Sequence, residues 1–238
     1  LSLWQKNIPE WVKRDRNHPC VVLWSLGNEL QHRADMPFND WGVTLYRLMR
    51  QLLHRYDHTR LTTVAMHPRY RNIDTDSLPA DLAVATEVNS YNYRYMYFPG
   101  DMKRYPEKIF YQSEASTEAM GPNFFEMNLD KVMGLAYWGA VDYLGESLGW
   151  PLKGWNKGVF DMTMLPKPDA YFVKSMFSDQ PTVHIGIIEK SGGDTQWNGI
   201  NVAASQLSEN WNRKEGEQLS LYTYTNVDEV ELLLNGRS

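Results

Sequence analysis

The most regular pattern in the chain is helical. Leu45, Leu48, Met49, Leu52, Leu53 and Tyr56 recur at three- and four-residue spacing, which gathers them into one apolar stripe, and Asn39 or Asp40 can cap the start of that helix. Upstream, Ile8-Pro9-Glu10-Trp11-Val12-Lys13-Arg14 reads as a short helix with Pro in its first turn, stopped by Asn17-His18-Pro19. Residues 20–25 form a short apolar run, the pattern of a strand covered on both faces. Similar short strands are expected at 61–66, 82–87, 108–113 and 134–139, and residues 169–177 close the region as a helix. Short buried strands alternating with helices imply a parallel sheet, either open and doubly wound or most of a (β/α)8 barrel. No Gly-rich phosphate loop follows any strand, which weakens a nucleotide-binding sheet.

After Pro181 the period changes to two. Residues 182–189 alternate, a Gly-, Ser- and Asn-rich stretch follows, and 219–225 alternate again. Residues 230–234 read as another strand, ended by the hairpin dipeptide Asn235-Gly236. This is the pattern of the start of an antiparallel β-sandwich.

Composition narrows the partners. The chain carries 24 Lys and Arg against 29 Asp and Glu, a formal net charge of −5. That gives no general attraction for nucleic acid or an anionic membrane, and it suits a neutral substrate better than a polyanionic one. No apolar run reaches the length of a membrane span. Nine Trp and 14 Tyr are many for this length; flat rings stack on the C–H faces of sugars, although filling cores is their commoner use. The single cysteine, Cys20, excludes an internal disulfide, and its apolar neighbours point to a buried structural thiol. The scattered histidines form no His-Glu-x-x-His or Cys/His cluster, so no metal is expected, and Gly-x-Ser-x-Gly is absent.

Two stretches carry candidate chemistry. Leu23-Trp24-Ser25-Leu26-Gly27-Asn28-Glu29 and Ile109-Phe110-Tyr111-Gln112-Ser113-Glu114 are each a short buried strand ending in a glutamate. In parallel α/β architectures that edge is where active sites lie. A lone glutamate there is more often a helix N-terminal residue or a surface charge. A pair on one edge can face each other, and glycoside hydrolysis needs such a pair: one carboxyl protonated to assist the departing oxygen, the other ionised to attack or to activate water.

The run His18-Pro19-Cys20-Val21-Val22-Leu23-Trp24-Ser25-Leu26-Gly27-Asn28-Glu29 resembles the acid/base signature of glycoside hydrolase family 2, which contains β-galactosidases, β-glucuronidases and β-mannosidases. The resemblance implies Glu29 as general acid/base, Asn28 as a donor to the sugar 2-hydroxyl, and Glu114, after strand seven, as nucleophile. On this count the strands ending near Glu29, Met66, Glu87 and Glu114 are strands four to seven of a barrel. Asn92-Tyr93 resembles a substrate-binding segment whose tyrosine hydrogen-bonds the nucleophile, with Tyr91 and Tyr93 both in contention. Trp138, at the end of strand eight, resembles the aromatic floor of the sugar site. Asp142-Tyr143-Leu144-Gly145-Glu146 and Gly158-Val159-Phe160-Asp161 through Pro166-Lys167-Pro168 are similar to the closing segments of β-galactosidases. The tail from Tyr224-Thr225-Asn226 to Leu234-Asn235-Gly236 resembles the immunoglobulin-like domain that follows the barrel.

The expected fold is therefore α/β: a partial (β/α)8 TIM barrel, about strands four to eight, over residues 1–180, then a partial all-β immunoglobulin-like sandwich over 181–238. The resemblance implies retaining hydrolysis of β-linked sugars, β-galactosides first, by double displacement without cofactor or metal. It implies a carbohydrate substrate, no nucleic acid and no membrane span, and leaves a homo-oligomer open. Nothing corresponds to strands one to three, so a longer enzyme is expected, and a non-catalytic carbohydrate-binding fragment is the rival reading. β-Mannosidase and β-glucuronidase are the alternative specificities. β-Glucuronidases carry Asn-x-Lys ahead of a Gly-Ile-Phe-like segment; here Trp155-Asn156-Lys157-Gly158-Val159-Phe160 keeps the Lys but has Trp155 at the Asn position, which disfavours that specificity. His67 reads either as a substrate contact or as a solvated loop histidine. Trp150 and Trp155 read as an outer sugar subsite ahead of rim packing. Glu87 reads as structural, and ion pairs or loop hydrogen bonds are the default for Glu118, Asp142 and Glu146.

Overall fold

The computed structural model describes residues 3–30, 40, 42–67, 81–115, 128–147, 149–189, 196–197, 200–201 and 207–238. They fall into two compact units, the first built on Leu1–Ala115 and Asn123–Ala136, the second chiefly on Tyr137–Ser238.

In the first unit α1 (Trp4–Asp15), β1 (Trp24–Asn28), α2 (Val43–Leu53), β2 (Thr62–Met66), α3 (Asp81–Ala85), β3 (Val88–Asn92), α4 (Phe98–Arg104) and β4 (Ile109–Ala115) alternate, and β5 (Val132–Tyr137) follows. The strands form one sheet in the order β1-β2-β3-β4-β5, and the β1–β2, β2–β3 and β3–β4 pairs are parallel. A doubly wound sheet reverses its strand order at a switch point. Here strand order follows chain order throughout, which is the winding of a barrel wall.

Period-two alternation divides the sheet. On one face Trp24, Leu26, Val64, Met66, Tyr91, Phe110 and Val132 join Ile8, Val12, Tyr46, Met49, Leu53, Leu82 and Phe98 of the helices in a single core. Met66 and Phe110 are fully buried, each contributing about 1.5–3 kcal/mol relative to exposure. The other face is shorter and more polar. Ser25, Thr63, Ala65, Ser90, Tyr111, Ser113 and Met133 line a groove of about 670 Å³, across which Thr63 Oγ1 donates to Ser90 Oγ at 2.8 Å.

Several local expectations shift. Residues 82–87, read as a strand, make none: 82–85 belong to α3, because Lys108 Nζ takes the carbonyls of Ala83, Val84 and Thr86 at 2.6, 2.9 and 2.9 Å and so satisfies the helix end. The strand expected to end near Glu87 is β3 instead, and it ends at Asn92. The first strand begins at Trp24 rather than Cys20, so Cys20 is exposed, not a buried thiol. Pro9 lies well inside α1 rather than in its first turn. Asp40 Oδ2 does accept the Thr44 N–H at 2.8 Å near the start of α2, whereas Asn39 lies outside the described residues.

The amino-terminal edge of the sheet is pinned by two carboxylates, the half-buried Glu87 and the buried Asp57. Glu87 precedes β3, and it accepts Arg50 Nη2 at 2.5 Å, Thr62 N at 2.8 Å and Thr62 Oγ1 at 2.7 Å. Burial alone would push this carboxyl up; the donors from Arg50 and Thr62 overcome it and hold the group at about 2. Asp57 serves β1 and β2 in the same way, accepting Trp24 Nε1 at 2.9 Å and Arg60 Nη1 at 2.6 Å.

In the second unit β6 (Tyr143–Leu144) and β7 (Gly154–Trp155) pair antiparallel. The helix α5 (Pro168–Phe177) follows. Then β8 (Val183–Ile188) is flanked by β11 (Leu207–Ser208) and β12 (Leu221–Thr225), both antiparallel to it, and β9 (Gln196–Trp197) pairs with β10 (Ile200–Asn201). The helix packs on β8, β11 and β12, with Tyr171 stacked on His184 at 3.8 Å between ring centroids and Phe172 against Tyr224 at 5.1 Å. Residues 230–234 make no strand; only an isolated bridge joins Leu234 to Arg237. Between them Asn235 and Gly236 sit at φ 52° and 76°, the two left-handed positions of a tight hairpin turn.

Glu87→Gln keeps the shape of the side chain and removes its charge. It is expected to lower the unfolding free energy at pH 7 by about 1–3 kcal/mol, as read by denaturant titration. Because the folded group titrates near 2 against an ordinary 4.5, its contribution is complete above the ordinary value and fades as pH falls between the two. The gap between variant and wild type should therefore close across that window; a gap constant down to pH 2 would show that the charge is not what matters.

Candidate active site

Two one-residue register shifts build the site. Along β1 and β2, Ser25 pairs with Thr63 but Asn28 pairs with Ala65, so β1 holds one residue more than its partner. Along β3 and β4, Tyr91 pairs with Gln112 but Asn92 pairs with Glu114, so Ser113 is the extra residue. Residues in register point to the same face of a sheet, and a bulge slips the alternation by one. Without the shifts Asn28 would share the face of Trp24 and Leu26, and Glu114 that of Phe110 and Gln112. With them, Asn28 stands in register with the groove residue Ala65, and Glu114 with Asn92, which shares parity with Ser90. Glu29 directly follows β1 and Glu114 lies near the end of β4, so both occupy the carboxyl edge of the parallel strands.

A buried amide ties this edge together. Asn92, with no exposed surface, donates from Nδ2 to Asn28 Oδ1 at 3.0 Å and to Glu29 Oε1 at 3.2 Å, and its Oδ1 accepts from Ser113 Oγ at 2.7 Å. The backbone is drawn in as well. Glu29 N donates to Ala65 O at 2.6 Å, Tyr93 N to Glu114 O at 2.8 Å, and Gln112 Nε2 to the same Glu114 carbonyl at 2.7 Å. Glu29 and Tyr93 have φ of 52° and 56°, a left-handed conformation unusual for residues with such side chains. Outliers of this kind persist where surroundings over-determine them, and they cluster at functional sites.

The two competing tyrosines separate. Tyr91 points into the helix layer, where its hydroxyl donates to the buried Asp101 Oδ2 at 2.7 Å and its ring packs on Phe98. Tyr93 lies on the carboxyl edge, edge-on to His67 at 6.2 Å between ring centroids. His67 is fully buried, which removes the solvated-loop reading for it.

The remaining candidates belong to the second unit. Trp138 directly follows β5, is 38% exposed, and meets Tyr143 edge-on at 6.2 Å. Asp142 accepts Lys167 Nζ at 3.0 Å and Gly158 N at 2.8 Å, tying the two closing segments to each other; a Cβ at Gly158 would come within 2.5 Å of Asp142 N. Glu146 accepts the Tyr143 hydroxyl at 2.5 Å. Trp155 is buried and Trp150 is 84% exposed, so of the two only Trp150 presents a ring face to solvent. Glu118 lies outside the described residues. Among the described residues no three His, Cys, Asp or Glu side chains converge to hold a metal ion, and no helix is long and apolar enough to cross a membrane.

Sequence reasoning missed both register shifts and Ser113. One signal was available: a glycine inside a strand pattern, here Gly27, often marks a bulge.

Residues 2–120 match the family model of the glycosyl hydrolases family 2 TIM barrel domain. The β-galactosidase BoGH2A of Bacteroides ovatus is 21% identical over 309 positions, covering 98% of this chain and 33% of that protein. The crystal structure of a glycosyl hydrolase family 2 member from Bacteroides cellulosilyticus superposes with a TM-score of 0.80 at 27% identity, over 99% of this chain and 31% of that one. A Faecalibacterium prausnitzii β-glucuronidase shares the fold, with a TM-score of 0.59 at 21% identity over 76% of this chain and 35% of its own. The chain thus spans about a third of the length of these relatives.

The assignment of the tyrosines has a measurable consequence. Tyr91→Phe leaves the buried Asp101 short of a donor, so it should cost about 1–3 kcal/mol of unfolding free energy, read by denaturant titration. A cost below about 0.5 kcal/mol, the level of an ordinary surface substitution, would show that this contact does not hold α4 to the sheet.

Proposed function

The chain belongs to glycoside hydrolase family 2, and on that premise we propose that it carries the catalytic carboxylates of a retaining β-glycosidase whose favoured substrates are β-galactosides. The reading is carried by one observation: Glu29 and Glu114 share the carboxyl edge of one parallel sheet, and the register shifts put Asn28 and Glu114 in step with the residues of the groove-side face. The preference for galactosides draws on the relative from Bacteroides ovatus and on Trp155 standing where β-glucuronidases carry Asn. In this reading residues 1–180 are strands four to eight of the barrel, and 181–238 open an immunoglobulin-like domain.

The mechanism is double displacement. Glu114 attacks the anomeric carbon while protonated Glu29 donates to the glycosidic oxygen, and a covalent glycosyl–enzyme forms. Glu29, now ionised, takes a proton from water, which attacks the same carbon from the opposite face and releases the sugar with retained configuration. Such chemistry places the two carboxyls about 5–5.5 Å apart. Asn28 donates to the sugar 2-hydroxyl, Tyr93 serves the nucleophile, and Trp138 forms the floor under the sugar ring. No cofactor is needed.

The division of labour is testable in the full-length protein with aryl β-galactosides. Glu114→Gln should abolish turnover of every substrate. Glu29→Gln should lower the rate with poor leaving groups by about 10²–10⁴-fold, while a dinitrophenyl galactoside should still form the glycosyl–enzyme and stall there. Azide, which needs no deprotonation, should rescue the Glu29 variant and yield the β-glycosyl azide. Rescue with the β-azide at position 114 instead would reverse the two roles, and rates within a few fold of wild type for both variants would remove the pair from the mechanism.

A further inference from the structure

We propose that Asn92 and Ser113 form a positioning pair that aims Glu29 and sets the orientation of the Asn28 amide; this rests on the reading of Glu29 as the acid/base. An asparagine amide has two N–H donors and one carbonyl acceptor. Both donors of Asn92 are used, one on Asn28 Oδ1 at 3.0 Å and one on Glu29 Oε1 at 3.2 Å, so Asn92 has no N–H left for a sugar. Its role is to hold two neighbours.

Ser113 decides which way round the amide sits. Its hydroxyl reaches Asn92 Oδ1 at 2.7 Å. Turned over, the amide would set its carbonyl oxygen against the Asn28 carbonyl oxygen and the Glu29 carboxylate, two acceptors facing a third. The Ser113 hydroxyl therefore favours the one orientation that serves Asn28 and Glu29 together. Ser113 can do this because it is the extra residue of the β4 bulge, with no partner of its own on β3. The bulge that turns Glu114 toward the groove also frees a hydroxyl to lock the acid/base on another strand.

The consequence extends to substrate recognition. Because Asn92 occupies the oxygen of the Asn28 amide, the half of that amide left to meet a ligand is its NH2. Asn28 is exposed, so it offers N–H donors to a hydroxyl oxygen of the sugar. The pair thus couples proton donation by Glu29 to recognition of the hydroxyl that Asn28 touches.

The test compares wild type, Glu29→Gln, Asn92→Ala, Ser113→Ala and Ser113→Thr in the full-length protein, using aryl β-galactosides of graded leaving-group ability and their 2-deoxy counterparts. Asn92→Ala should lose about ten- to hundredfold in kcat/KM with a poor leaving group, the worth of a hydrogen bond to a charged group, and much less with dinitrophenolate. The penalty for deleting the 2-hydroxyl should shrink in the same variant, because Asn28 is no longer held. Ser113→Ala should move both quantities the same way by a smaller factor, and Ser113→Thr, which keeps the hydroxyl, should restore them. A loss by one common factor across every substrate would overturn the positioning role while leaving the glycosidase reading intact. A wild type that cleaves none of the substrates, or Glu29→Gln without effect, would overturn that reading and the pair with it. If Asn92→Ala does not fold, the Ser113 variants make the same discrimination from the groove side.

Discussion

Alternation along a strand is the constraint against which this site is built. Successive side chains must point to opposite faces, and on β1 and β4 strict alternation would send Asn28 and Glu114 into the apolar layer under the helices. An ionised carboxylate there would be buried without partners, at a cost no small domain can carry. One extra residue in each strand reverses the parity at the last moment. The core-facing residues below the bulges stay in register with their neighbours, and the functional residues above them turn to the groove. Both bulges sit at the same edge, and the Asn92 amide spans the interval between them.

The two edges of the sheet divide the work. At the amino-terminal edge Glu87 and Asp57 are surrounded by donors from Arg50, Arg60, Thr59, Thr62 and Trp24, and they bind strands to helices. Each is held in its charged form, which is the signature of a carboxylate that stabilises rather than reacts. At the carboxyl edge the backbone of Glu29 and Tyr93 is held in a conformation that side chains resist. The tyrosines follow the same division. Tyr91 anchors α4 through Asp101, while Tyr93 belongs to the edge where Glu114 lies.

The second unit rests on shorter elements and more on polar joints. Asp142 gathers Gly158 and Lys167 from segments far apart in the chain, and Lys167 also takes the Asn156 carbonyl at 2.7 Å. Gly158 is required there because Asp142 approaches its backbone too closely for any Cβ. The helix α5 gives its rings to β8 and β12, so the antiparallel sheet of this unit is laid on that helix.

The sequence by itself determined the parallel α/β class of the first unit and named the two candidate glutamates at strand ends. Short apolar runs alternating with helical stripes have few other solutions, and a glutamate at the end of a buried strand is visible in a one-dimensional pattern. The Asn235-Gly236 turn was equally legible, because two left-handed residues in succession demand those side chains. Residues 82–87 were misread, since a short apolar run looks alike as helix or strand until a distant lysine, Lys108, closes its end. Cys20 was misread because hydrophobicity does not say where a strand begins. What only the tertiary structure decided was parity and partnership: which residue each strand leaves unpaired, which tyrosine faces the edge, and that one buried amide reaches Asn28 at the end of β1, Glu29 just after it and a hydroxyl on β4. Those are relations between segments tens of residues apart, and no local pattern carries them.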